Sequence, residues 1–255
     1  MGLYWLQGRL VYPLEQIATL KNQYLEDQTT PVSIKTDDGL TLTVRYRPAP
    51  DKTTPTIILF HGNGEDLFQR GHIALELINA GYGILLAEYR GYGGNPGKPT
   101  EPGLYADARA AYAFVSERSE NVVLHGYSLG SGVAVQLASE PTHPITALIL
   151  EAPFTSIVDV AARRFPLFPV RTLARDRYDS LAKIASVHAP LLIYGGTADG
   201  VIPPDQFQRL YNAARGEKRI ALIEGADHLN VWTQGGREHV MQFLASLPAT
   251  RAERV

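Results

Sequence analysis

Apolar positions along this chain fall into two kinds of pattern. Short runs rich in leucine and β-branched residues alternate with longer stretches in which apolar residues recur every three or four positions. Residues 32–36 and 40–46 flank Asp37-Asp38-Gly39, and the alternation that puts Leu40, Leu42 and Val44 on one face predicts an antiparallel hairpin. The runs 56–60 (TIILF), 83–87 (GILLA), 122–124 and 191–194 (LLIY) are apolar without interruption, as expected of parallel strands covered on both faces. Residues 145–150 and 219–223 complete the predicted set. Helical period marks 66–79, 103–116, 129–139, 205–214 and 237–247; in the second of these Leu104, Ala108, Ala111 and Val115 form the stripe by which a helix packs on a sheet.

A hairpin followed by repeated strand–helix units predicts an α/β fold around one mainly parallel sheet with helices on both faces. No Ser/Gly-rich linker and no repeat period divides the chain, so a single domain over 1–255 is expected. Residues 153–189 break the rhythm with Pro166, Pro169 and a mixture of Phe, Leu and Arg, and read as a small cap-like insertion over the sheet's edge. Excursions at the carboxyl ends of strands commonly border ligand crevices.

Composition narrows the chemistry. The chain has 255 residues and no cysteine, which excludes a disulfide framework, a thiolate metal site and a thiol nucleophile. With 24 Lys and Arg against 26 Asp and Glu, the balance is not that of a phosphate-tracking surface, and nucleic acid is not expected as a partner. No His-Glu-x-x-His or comparable ligand spacing occurs, so neither a catalytic metal nor another cofactor is expected. The first residues, MGLYWLQGRLVYP, hold an apolar stretch too short to span a membrane and lack a basic n-region with a cleavage site; Leu6 also stands where a myristoylation pattern needs Ser or Thr. A cytoplasmic location is the expectation.

The most informative stretch is NVVLHGYSLGSGVAV, where a buried strand runs through Gly126-Tyr127-Ser128-Leu129-Gly130 into a helix. This G-x-S-x-G pattern is a nucleophile elbow: a sharp turn strains the serine backbone, and side chains two positions to either side would collide. The following helix aims free N–H groups at the serine, so the Leu129 amide can stabilise a developing oxyanion. The pentapeptide by itself is a weak sign; the strand before it and the Ala/Val/Leu helix after it supply the specificity.

A serine hydroxyl needs a base and the base needs an orienting group. Of the seven histidines, His125 lies in a buried strand, His72 and His239 in helical patterns, His143 and His188 in connections, and His61 at a strand end where packing is expected. His228, in EGADHLN just after a strand, belongs to a loop at the sheet's carboxyl edge. The acid should lie between nucleophile and base in the chain. Asp199, ending LLIYGGTAD, is the preferred candidate, although a turn-forming role beside Gly200 is its plainer reading. Glu151, ending ITALILE, is the rival; Asp227, adjacent to the histidine, is read as shaping the loop. At the end of the first covered strand, FHGNG lets the backbone approach the nucleophile, and the Asn63 N–H could join that of Leu129 as an oxyanion hole.

FHGNG, YRGYGGNPGKPTEPGLYADARAA, GYSLGSG, EAPFTSI, DRYDSLAKI, GTADGVIP and GADHLNVW, spread from Phe60 to Trp232, together resemble the α/β-hydrolase superfamily. They look most like its branch of small serine esterases related to alpha/beta-hydrolase-domain depalmitoylating and lysophospholipase-like proteins. The resemblance implies the α/β-hydrolase fold, Ser128 as nucleophile, Asp199 as acid, His228 as base, and the Asn63 and Leu129 amides as oxyanion donors. Ser131 departs from the pattern, since relatives often carry glycine there.

The expected activity is hydrolysis of a small-molecule ester or acyl substrate, acyl thioesters included, through an acyl-enzyme. A serine peptidase and a non-catalytic binding protein on the same fold are the alternatives. Residues 163–177 hold Arg163, Arg164, Arg171, Arg175 and Arg177 against Asp176, interleaved with Phe165, Leu167, Phe168 and Val170. Their plain reading is a solvated loop and helix. The functional reading is a cap whose apolar side lines an acyl pocket while its arginines face anionic head groups or a lipid surface.

Overall fold

The computed structural model describes residues 8, 11–17 and 22–247. The readings of the first thirteen residues therefore lie for the most part outside the described part of the chain. After α1 (Gln23–Gln28) come β1 (Thr30–Lys35), β2 (Thr41–Arg47), β3 (Thr56–Phe60), a 3₁₀ turn (Leu67–Arg70), α2 (Gly71–Asn79), β4 (Gly83–Ala87), α3 (Glu101–Ser116), β5 (Val122–Tyr127), α4 (Leu129–Ser139) and β6 (Ala147–Glu151). The connection onward carries α5 (Ile157–Arg164), α6 (Val170–Leu173) and α7 (Ser180–Lys183) before β7 (Leu191–Gly196), α8 (Pro204–Ala213), β8 (Lys218–Ile223) and, beyond a π-helical turn, α9 (Arg237–Ala245).

The strands form one eight-stranded sheet in the order β1-β2-β4-β3-β5-β6-β7-β8. Pairings β1–β2 and β2–β4 are antiparallel and the others parallel. The uninterrupted apolar runs have the expected consequence, for β3, β4, β5, β6 and β7 are buried at every position. Alternate residues feed opposite layers. Ile58, Phe60, Leu124 and Leu148 join one core with Leu104, Ala108, Ala111 and Val115 of α3 and Val133 of α4. Ile57, Leu59, Val123 and Ile149 join another with Ile73 and Leu77 of α2 and Phe243 of α9. Burying both faces of five strands is what holds this sheet, at roughly 25 cal/mol per Å² of apolar surface removed from water. The edge strand β8 alternates instead and leaves Leu222 exposed.

In the hairpin, Leu42, Val44 and Tyr46 are buried while the residues between them face outward or are only partly covered. Helix α3 starts two residues before the sequence pattern indicates, because Thr100 caps it by accepting from the Gly103 N–H at 3.2 Å. The expected helix over 66–79 is a 3₁₀ turn followed by α2; Asp66 and Gln69 close a capping box at its start.

Strand β3 lies between β4 and β5, so the chain steps outward in both directions from this strand. The carboxyl ends of β3 and β5 flank the switch point, where open α/β sheets leave a crevice. The segment 153–189 divides in two. Its later part belongs to the core: Tyr178 is fully buried and Ile184 packs beneath α4. Its middle part is an excursion whose ends meet, since the Ile157 N–H donates to the Arg177 carbonyl at 2.9 Å. Residues 163–169 of that excursion are all exposed.

Candidate active site

Ser128 sits between β5 and α4 with φ 49° and ψ −115°, a backbone conformation that costs about 1–3 kcal/mol for a residue with a side chain. The surroundings hold it there. Its N–H donates to the Glu151 carbonyl at 3.0 Å, extending the β5–β6 ladder past the end of the strand. A Cβ at Gly126 would lie 2.4 Å from the Gly130 carbonyl oxygen, and one at Gly130 would lie 2.2 Å from that of Phe60. The first glycine therefore lets the turn close, and the second lets α4 seat against the end of β3. Ser131 has a task of its own, as its hydroxyl donates to the Ser128 carbonyl at 2.6 Å.

Three residues from separate segments meet in one line. His228 Nε2 is 3.1 Å from Ser128 Oγ, and His228 Nδ1 is 2.7 Å from Asp199 Oδ2. The Asp199 side chain is wholly buried, and its other oxygen accepts the N–H groups of Val201 and Ile202, both at 2.8 Å. Asp199 thus shapes its turn and faces the imidazole at once, one oxygen for each. The loops after β7 and β8 are joined by Thr197 N–H to the Ile223 carbonyl and Ala198 N–H to the Ala226 carbonyl, so Asp199 and His228 are placed together. Asp227 accepts from the Leu229 and Asn230 N–H groups and shapes the loop.

Asn63, in the loop after β3, is pinned on two sides: its carbonyl accepts from the Tyr92 hydroxyl and its side-chain amide donates to the Val11 carbonyl. Leu129 is the first residue of α4, where a backbone N–H has no intrahelical carbonyl to bond. His61 packs beneath this loop, bonded to Glu88 at 2.9 Å and to the Gly62 carbonyl. Burial would push its imidazole down in pKa, but the Glu88 and Glu65 carboxylates outweigh burial and hold it above its ordinary value.

Glu151 is engaged elsewhere. Its carboxylate accepts from Arg70 Nη1 at 3.2 and 3.3 Å and from the Tyr194 hydroxyl at 2.8 Å. Burial pushes this carboxyl up, yet the Arg70 charge, His125 and the Tyr194 hydroxyl together outweigh burial and lower it to about 2. Arg70 also bonds Glu65 at 2.7 Å and lies 3.4 Å from the centroid of the Tyr127 ring. Tyr127 in turn donates its hydroxyl to the His228 carbonyl at 3.0 Å. Sequence reasoning missed this chain of contacts. The available signal was Glu151 itself, a charged end on an otherwise apolar strand that calls for a cation, but nothing in the pattern names Arg70.

A hydroxyl, an imidazole and a buried carboxylate in this geometry can pass a proton from oxygen to nitrogen while the carboxylate stabilises the imidazolium. Among the described residues no cluster of three or more metal-ligating side chains occurs, and no helix is long and apolar enough to cross a membrane. A cleft of about 580 Å³ lies elsewhere, between the excursion and α8, lined by Arg163, Phe168, Arg171 and Arg209 among others. Its arginines are paired with Asp159 and Asp205.

A mostly parallel eight-stranded sheet with a serine on a strained strand-to-helix turn at its switch point is the architecture of the α/β hydrolases, and this chain belongs to that family. A family model described as serine aminopeptidase, S33, matches residues 51–175. An uncharacterized protein of Mycobacterium tuberculosis is 41% identical over 202 residues, covering 77% of this chain and 71% of that protein. Human alpha/beta hydrolase domain-containing protein 17B is 34% identical over 200 residues, covering 74% of this chain and 66% of the human protein. Among solved structures, an esterase of Pyrococcus furiosus superposes with a TM-score of 0.75 at 18% identity, over 90% of this chain and 94% of the esterase, a likeness of fold.

Proposed function

We propose that this chain hydrolyses carboxylic esters, acyl thioesters included, through a covalent acyl-enzyme. Ser128 Oγ attacks the carbonyl while His228 Nε2 takes its proton; the same nitrogen then protonates the leaving alcohol or thiol. Asp199 keeps the proton of His228 on Nδ1 and stabilises the imidazolium. A water activated by His228 releases the acid. The backbone N–H groups of Asn63 and Leu129 face the developing oxyanion, each donor of this kind being worth about 3 kcal/mol of barrier. The observation that carries the proposal is the 3.1 Å and 2.7 Å relay from Ser128 through His228 to Asp199. The esterase of P. furiosus, similar in fold, supports the ester class.

The decisive experiment is covalent labelling with a fluorophosphonate probe. Wild type is expected to label and Ser128→Ala not to; equal labelling of the two would remove Ser128 from the chemistry. Hydrolysis of p-nitrophenyl esters of increasing chain length, beside an acyl thioester, then sizes the substrate. The aminopeptidase description of the matching family model favours a second reading, cleavage of short peptides. Turnover of aminoacyl p-nitroanilides with the ester series silent would establish that reading in place of the first.

A further inference from the structure

The most exposed apolar side chains outside α1 and the edge strand cluster at the carboxyl end of the sheet. Leu167 is 95% exposed at the tip of the excursion, with Phe165, Phe168 and Leu173 around it. Leu229, 81% exposed, follows His228, and Val201 follows the turn made by Asp199. Arg163 bonds Asp205, four residues beyond Val201, which ties the excursion to that rim. A contiguous exposed apolar patch of this kind marks an interaction surface more often than scattered single residues do.

The charges around these residues are of one sign in excess. Arg163, Arg164, Arg171, Arg175, Arg177 and Arg209 surround the tip, against Asp159, Asp176 and Asp205. Residues 163–169 are exposed throughout, Leu167 most of all, while Arg163, Phe168 and Arg171 also line the cleft toward α8. An exposed apolar point ringed by guanidinium groups suits a surface that is soft, apolar below and anionic above.

We propose that the excursion docks the protein on an anionic lipid bilayer, Leu167 and Phe168 entering the acyl boundary and the arginines contacting head-group phosphates and carboxylates. The docking is independent of the reaction proposed above, because it uses none of Ser128, His228 or Asp199. It would place the rim carrying Leu229 and Val201 toward the membrane.

The test is flotation of the full chain with phosphatidylcholine vesicles with and without phosphatidylserine, at low and raised salt. Binding that requires phosphatidylserine and weakens with salt is expected. Leu167→Ser with Phe168→Ser should reduce partitioning about tenfold, and Arg164→Glu with Arg175→Glu should abolish the preference for phosphatidylserine. Leu222→Ser, on the edge strand, should bind as wild type, and so should Ser128→Ala, which separates this proposal from the catalytic one. Absence of flotation at low salt overturns the proposal, as does flotation unchanged in the Leu167/Phe168 variant. Concentration-dependent self-association abolished by that variant, without flotation, would assign the patch to a second copy of the chain instead.

Discussion

The layer beneath the elbow and the excursion at 157–177 use the same residue types to opposite ends. Beneath the elbow Arg70 is buried between Glu65 and Glu151 and stacked on Tyr127; Glu151 and Tyr127 belong to strands, and Tyr127 bonds the His228 loop. In the excursion Arg163 and Arg171 pair with Asp205 and Asp159 while staying largely exposed. A buried charge loses its hydration and must be compensated by its partners, whereas an exposed pair trades water for protein with little net change. Charge in the first region therefore determines whether the strained serine has a platform. In the second it determines what the surface attracts.

The contrast can be broken first at the elbow. Gly130→Ala would press a methyl group to within 2.2 Å of the Phe60 carbonyl oxygen, so loss of folded protein, or destabilisation by more than about 4 kcal/mol in urea, is expected. Removing the cation alone, as Arg70→Met, leaves the Glu151 carboxylate buried and is expected to cost about 3–5 kcal/mol in the same measurement. If Arg70→Met were as stable as wild type, the platform would not depend on this ion pair.

Acid should reveal the same pair. Because Glu151 is lowered from 4.5 to about 2 in the folded protein, its contribution is present above pH 4.5 and is lost as the pH falls from there toward 2. Wild type should lose on the order of 3 kcal/mol more than Glu151→Gln across that window, read as the difference between two denaturation series. Equal slopes would mean that the carboxyl is not lowered in the folded protein. The smallest effect belongs to the excursion, where Arg171→Ala should change stability by less than about 1 kcal/mol despite a 2.9 Å ion pair.

Much of the fold was legible because burying both faces of a strand leaves a continuous apolar run, and β3, β4, β5 and β7 each carry one. The serine was legible for a steric reason, since glycine at 126 and 130 is required wherever the turn is this tight. Asp199 was preferred to Glu151 from its place after a strand and before the histidine. What engages Glu151 elsewhere is Arg70, a contact spanning 81 positions that no local pattern encodes. For a similar reason the packing of the later part of 153–189 into the core was not legible. Tyr178 belongs to the core because it packs against Gly132 of α4, which cannot be told from a stretch rich in Arg and Asp.

The bond between the Ile157 N–H and the Arg177 carbonyl has an architectural consequence. The excursion leaves the core and rejoins it at one point; Val158, Asp159 and Asp176 near its two ends still contact the body, whereas residues 164–169 are exposed. Doubling the length of such a closed loop costs only about 0.6 kcal/mol in closure entropy. The exposed stretch from 164 to 169 is thus an exchangeable cartridge. Segments of other lengths and chemistries spliced between those limits would redirect the protein to a new surface while leaving the elbow and its ion pair as they stand.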